Sequence, residues 1–124
     1  MYVALVRHGR TEWNAQRRFL GRTDIGLDAE GHEQARGLAA RLPEWSAVYS
    51  SPLARARETA AYLRPSADIV DDFAELNQGG LEGLHGAEAM ERYPAFFEEF
   101  SRDPETICVP EGKAYGACRD RALV

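Results

Sequence analysis

Tyr2-Val3-Ala4-Leu5-Val6-Arg7-His8-Gly9 is the stretch on which the fold turns. Its five apolar residues, partly β-branched, are too few for a helix and read as a buried strand. Arg7 ends the run, and Gly9 lets the chain turn sharply and lets backbone approach a ligand. Outward from this stretch, residues 10–27 are polar, arginine-rich and punctuated by Gly21 and Gly26, a long loop with room for one helical turn. Such a loop inside a compact domain is often functional. Asp28 is placed to cap a helix running to about Leu42, with Ala35, Leu38, Ala39 and Leu42 as its apolar stripe and Pro43 as its stop. Residues 46–50 read as a second strand. Ser51-Pro52 reads as an N-cap followed by a first-turn proline, opening a helix that Pro65 closes. Residues 67–70 read as a third short strand. This alternation predicts an α/β domain with a parallel sheet and right-handed crossovers.

From Asp71 the pattern changes. Residues 75–86 read as a glycine-rich loop and 88–100 as a helix that Pro94 must kink or split. Residues 102–111 read as loop and 114 onward as a further helix. No repeat or linker divides the chain, so one domain over residues 1–124 is expected.

The net charge of −5 argues against a general nucleic-acid binder, which needs a basic face. Charge is nevertheless uneven. Residues 1–64 hold ten arginines against seven carboxylates, a net of +3, whereas residues 65–124 hold five basic side chains against thirteen acidic ones, a net of −8. Arg7, Arg10, Arg17, Arg18 and Arg22 fall close together, a local cluster suited to a small anion rather than a long polyanion. Cys108 and Cys118 are too few for a disulfide scaffold and lie in no metal-ligand spacing. No stretch has the length of a membrane span, and the N-terminus lacks the features of a secretion signal. A cytoplasmic protein without metal or cofactor is expected.

Three chemical groups fall just past the predicted strands, at the edge where open α/β sheets bind ligands. The first is Arg7-His8: neutral imidazole is a nucleophile, and a guanidinium forks onto phosphate oxygens. The second is Arg55, in the first turn of a helix whose N-terminus favours anions. The third is Glu75, which if partly desolvated could donate a proton to a leaving oxygen. Taken singly, each also reads as an ordinary structural residue; Arg57 reads as surface.

Arg7-His8-Gly9-Arg10-Thr11-Glu12-Trp13-Asn14 resembles the Arg-His-Gly-x-Thr-x-x-Asn signature of the histidine phosphatase superfamily, which includes the phosphoglycerate mutase-like proteins. Further blocks follow in the family's order: Gly21-Arg22-Thr23-Asp24, Ser51-Pro52-Leu53-x-Arg55-Ala56, Glu75 with Gly79 and Glu82-Gly83, and Pro110-Glu111-Gly112-Lys113, where Lys113 stands in place of the usual Glu. The resemblance implies a three-layer α/β/α fold with a mostly parallel sheet. It implies His8 as nucleophile, forming a phosphohistidine. Arg7 and Arg55 would hold the phosphate, Glu75 would act as acid and base, and Asn14, Gly21, Arg22 and Thr23 would line the substrate pocket. The substrate would be a small phosphorylated metabolite, with specificity from Arg10, Arg17, Arg22 and residues 79–100. A mutase-type phosphotransferase is the second enzymatic reading.

The family's second catalytic histidine lies on a later strand and has no counterpart here. His32 falls within the first helix and reads as surface, and His85 lies in the glycine-rich segment. The sequence therefore resembles a C-terminally shortened member whose last strands are missing. Two expectations follow: a non-catalytic phosphate-binding remnant becomes an alternative, and an unpaired apolar strand edge invites a homodimer.

Overall fold

The computed structural model describes residues 1–123. In chain order the elements are α1 (Glu12–Ala15), α2 (Ala29–Ala39), β1 (Tyr49–Ser50), α3 (Ala54–Leu63), β2 (Asp68–Ile69), α4 (Gly86–Arg92), α5 (Pro94–Arg102) and α6 (Tyr115–Ala122). Short 3-10 turns lie at Asp71–Phe73 and Gly79–Leu81. The chain forms two compact units: Met1–Thr11 with Asp24–Val70, and Glu12–Thr23 with the segment from Asp71 onward.

The first unit is α/β. β1 and β2 pair in parallel, Tyr49 opposite Asp68 and Ser50 opposite Ile69, with α3 as the crossover. α3 packs on α2 and on β1. α2 starts where Asp28 accepts the Gly31 N–H at 2.7 Å. That bond, together with Arg10, lowers the Asp28 carboxyl below its ordinary range against the opposing effect of burial. α3 starts two residues later than the sequence predicts. Leu53 is its N-cap, with no side-chain cap of its own, and the Ala54 N–H is taken at 2.7 Å by Asp24. Ser51 instead closes a tight turn by accepting from the Leu53 N–H at 3.3 Å. His32 lies partly at the surface, its side chain 39% exposed, but it is not without contacts: its Nδ1 is 3.0 Å from the Tyr62 hydroxyl, and the two rings meet edge to face.

The predicted first strand does not form. Residues 1–11 carry no regular element, and Tyr2 and Leu5 are 94% and 98% exposed. The physical reason is the ladder: a strand needs neighbouring backbone to satisfy its N–H and C=O groups. The sheet among the described residues is only β1 with β2. An apolar run without a partner strand has no means of burial.

The second unit is mainly helical. Its core is Leu76, Leu81, Ala89, Phe96 and Val109, with Phe19, Tyr93, Phe97 and Phe100 packed around them. Pro94 splits the predicted 88–100 helix as expected, becoming the first residue of α5, where its missing N–H costs nothing. Phe96 meets Phe97 edge to face at 5.1 Å, and its ring lies tilted against Phe100 at 5.5 Å.

Candidate active site

His8 is held by two helices rather than by a strand. Its neighbour Gly9 donates its N–H to the Thr59 hydroxyl at 3.0 Å, and that hydroxyl donates to the Arg55 carbonyl at 2.8 Å. A two-bond relay thus ties the His8 turn to the turn of α3 that carries Arg55. On the other side Gly9 lies directly on Gly31 of α2: a Cβ on Gly9 would sit 2.4 Å from the Gly31 carbonyl oxygen. Only glycine at both positions permits this approach. Arg10 completes the anchor, with its Nε on Asp28 at 2.7 Å, a terminal nitrogen on Glu30 at 2.6 Å, and its N–H on Gln34 at 2.9 Å. Its guanidinium, read from sequence as a specificity group, is engaged by two carboxylates.

The His8 ring has a defined chemistry. Nδ1 lies 2.7 Å from the Gly9 carbonyl oxygen. A carbonyl only accepts, so the ring proton sits on Nδ1 and, in the neutral ring, the lone pair sits on Nε2. Arg55 is 2% exposed and lies at the start of α3. That is an unfavourable place for a cation, both for desolvation and for the helix dipole, and a nearby anion offsets both. Arg7 is exposed, and so is Arg57 near the start of α3, as the sequence reading of Arg57 expects.

The second unit carries the other predicted residues. Asn14 lies in the single turn α1, half-buried, where its carbonyl accepts from the Arg17 N–H at 3.0 Å. Gly21, Arg22 and Thr23 form a turn laid against residues 75–82. Gly21 is buried, and a Cβ there would be 2.6 Å from the Leu76 carbonyl oxygen. Arg22 donates its Nε to the Glu75 carbonyl oxygen. Glu75 itself is exposed, and its Oε1 accepts from the Leu76 N–H at 2.7 Å. The partial desolvation expected for this carboxyl is therefore not seen.

The residue that organises this cluster is Glu82. Its Oε1 accepts from the Arg22 N–H at 2.7 Å and from the Gln78 N–H at 3.3 Å. Its Oε2 accepts from the Thr23 N–H at 2.8 Å and from the Thr23 hydroxyl. Burial pushes this carboxyl up, but those donors outweigh it and hold it below the ordinary glutamate range. Sequence reading places Glu82 in a family block but finds no role for it, and it does not single out Asp24 or Thr59. The one available signal is spacing: Thr59 follows Arg55 by four residues on one helix, the reach of a back-bond to the carbonyl. His85 is the N-cap of α4; its N–H donates to Glu88 at 2.8 Å and its backbone bridges Arg18. Among the described residues no cluster of three or more His, Cys, Asp or Glu side chains could hold a metal ion, and no helix is long and apolar enough to cross a membrane.

These features define an α/β protein in which a histidine turn is tied through a threonine relay to a buried arginine at a helix start. The sequence model of the histidine phosphatase superfamily (branch 1) matches residues 3–123, and the chain belongs to that superfamily. It is 42% identical over 98 residues to the uncharacterized phosphatase PhoE of Bacillus subtilis (strain 168), covering 74% of this chain and 51% of that one. It is 34% identical over 130 residues to a metal-independent phosphoserine phosphatase of Arabidopsis thaliana, covering 98% and 55%. Among solved structures, a phosphoglycerate mutase from Thermus thermophilus superposes with a TM-score of 0.76 at 36% identity, covering 94% of this chain and 66% of that one. The fold is thus phosphoglycerate mutase-like, and the chain spans about half the length of these curated relatives.

Proposed function

We propose that this chain hydrolyses a small phosphomonoester through a phosphohistidine on His8. The observation that carries the reading is the His8 ring: Nδ1–H donates to the Gly9 carbonyl, so in the neutral ring the lone pair lies on Nε2. In the first step the Nε2–P bond forms as the ester P–O bond breaks. The family resemblance assigns the acid to Glu75: once bound substrate shields its carboxyl, which is exposed in the unliganded chain, it gives its proton to the leaving oxygen, so an alcohol departs. In the second step water attacks phosphorus, Glu75 takes a proton from that water, the N–P bond breaks, and the histidine is restored with phosphate as product. Arg55 and Arg7 offset charge on the equatorial oxygens of the transferred group. Arg22 and Thr23 serve the substrate. Phosphatases stand among the relatives and support hydrolysis as the leading reading, and phosphoglycerate mutase-like relatives keep phosphoryl transfer to a second alcohol as the alternative.

The test is a phosphomonoester panel without added metal, run on the chain and on His8→Ala. Turnover lost in His8→Ala supports the reading. Turnover that survives the substitution contradicts it. No turnover from folded wild-type chain favours the phosphate-binding remnant, and exchange of phosphate between two positions of a glycerate favours the mutase.

A further inference from the structure

The His8 ring donates its Nδ1–H to the Gly9 carbonyl oxygen at 2.7 Å. That oxygen and the Arg10 N–H belong to one peptide plane, on its two opposite sides. The Arg10 N–H is taken by Gln34 Oε1, on α2, at 2.9 Å. One rigid group therefore stands between His8 and Gln34, accepting from the first and donating to the second. The peptides on either side are anchored separately. The one before it donates the Gly9 N–H to Thr59 at 3.0 Å, and the one after it accepts at the Arg10 carbonyl from the Asp28 N–H at 3.0 Å. Neither bond sets the rotation of the middle plane. Its leading hinge is Gly9, where rotation meets no Cβ. The close approach to Gly31 demands glycine there, and the same glycine leaves the plane loose unless its N–H is held.

The Gln34 amide is itself oriented. Its Nε2 donates to Glu30 Oε1 at 3.3 Å, one turn earlier on α2, so Oε1 is the atom turned to Arg10. Glu30 Oε2 in turn pairs with a terminal nitrogen of Arg10 at 2.6 Å. The Arg10 N–H, Gln34, Glu30 and the Arg10 guanidinium thus close a bonded loop beside the His8 turn.

We propose that Gln34 is a positioning residue for His8: by holding the Arg10 N–H it keeps the Gly9 carbonyl turned to Nδ1, and so keeps the proton of the neutral ring on Nδ1 and the lone pair on Nε2. This rests on the phosphatase reading given above. Hydrogen bonds in series polarise one another, so the bond to Gln34 also makes the Gly9 oxygen a stronger acceptor.

Two measurements on the full chain decide the matter. Gln34→Leu removes the acceptor but fills the space of the glutamine, which hinders water from replacing it at an N–H already packed on Gly31. Gln34→Glu keeps an acceptor at the same reach. Gln34 is exposed, so both variants should fold. The first measurement needs no turnover. Imidazole nitrogens are followed by nitrogen-15 NMR at about pH 9, above the ordinary histidine range, with His8 assigned by loss of its signals in His8→Ala. Wild type and Gln34→Glu should show Nδ1 as the protonated nitrogen of His8, and Gln34→Leu should shift the ring toward the opposite tautomer. An unchanged tautomer in Gln34→Leu overturns the proposal. The second is turnover of p-nitrophenyl phosphate. Gln34→Leu should lower kcat by about five- to tenfold, the effect of one lost hydrogen bond, with KM changed less than about twofold. Gln34→Glu should restore kcat. Wild-type kcat in Gln34→Leu, or no recovery in Gln34→Glu, overturns the proposal. If the wild-type chain turns over no ester, the phosphatase reading falls, and the tautomer alone judges Gln34.

Discussion

Alanine in place of glycine inside a helix ordinarily stabilises a protein by about 0.5–1 kcal/mol. Gly31 of α2 should do the opposite. A Cβ there would lie 2.1 Å from the carbonyl oxygen of Arg10 and 2.8 Å from its nitrogen. Ordinary contact is about 3.5 Å, so the Arg10 backbone must retreat by more than an ångström. That backbone is not free to move: its carbonyl accepts from the Asp28 N–H at 3.0 Å and its N–H donates to Gln34 at 2.9 Å. Overpacking costs about 1–3 kcal/mol, and two strained hydrogen bonds about 1 kcal/mol each. After the helical gain is subtracted, Gly31→Ala should lose about 2–4 kcal/mol, roughly a 10 °C fall in Tm for a chain of this size. The same helix supplies a control. Gly37 has nothing within 4 Å of where its Cβ would be, so Gly37→Ala should gain about 0.3–1 kcal/mol. Urea and thermal unfolding of both variants give the comparison. Equal or greater stability of Gly31→Ala relative to Gly37→Ala would refute the claim that α2 and the His8 turn meet backbone to backbone.

Three further outcomes are expected. Asp24→Ala should cost about 1 kcal/mol through loss of the α3 cap, and Ser51→Ala much less; the reverse order in chemical unfolding would restore Ser51 as the cap. Thr59→Val leaves the Gly9 N–H without its acceptor and should cost about 1–3 kcal/mol, while slowing covalent labelling of His8; a variant as stable and as reactive as wild type would deny the relay. The exposed apolar run at residues 2–6 should promote self-association at high concentration, and Leu5→Lys should reduce it in sedimentation velocity. Identical monomers for both proteins would dismiss edge pairing.

The second half of the chain is legible in sequence because its signals are local. Pro94 cannot sit inside a helix, so the division between α4 and α5 can be read from one residue. Asp28 can be read as a cap for the same reason: the bond spans three residues. Residues 2–6 mislead because a strand is a property of its neighbours, and the sequence of one strand does not report whether a ladder exists beside it. The α3 cap is misplaced for a related reason: a local candidate, Ser51, loses to Asp24, which lies thirty residues away in sequence. His8, Arg55 and Glu75 can be singled out by residue type and position. Glu82 cannot be assigned a role from sequence, since its four donors come from residues 22, 23 and 78, and only folding brings them to one carboxylate.

The most direct test of the central claim is trapping of the covalent intermediate. The chain is mixed with a labelled phosphomonoester, quenched in base, digested and mapped. The account predicts a base-stable, acid-labile phosphoramidate on the peptide containing His8, absent from His8→Ala. Label on another residue, or phosphate released by folded protein whose His8 never carries label, would contradict it.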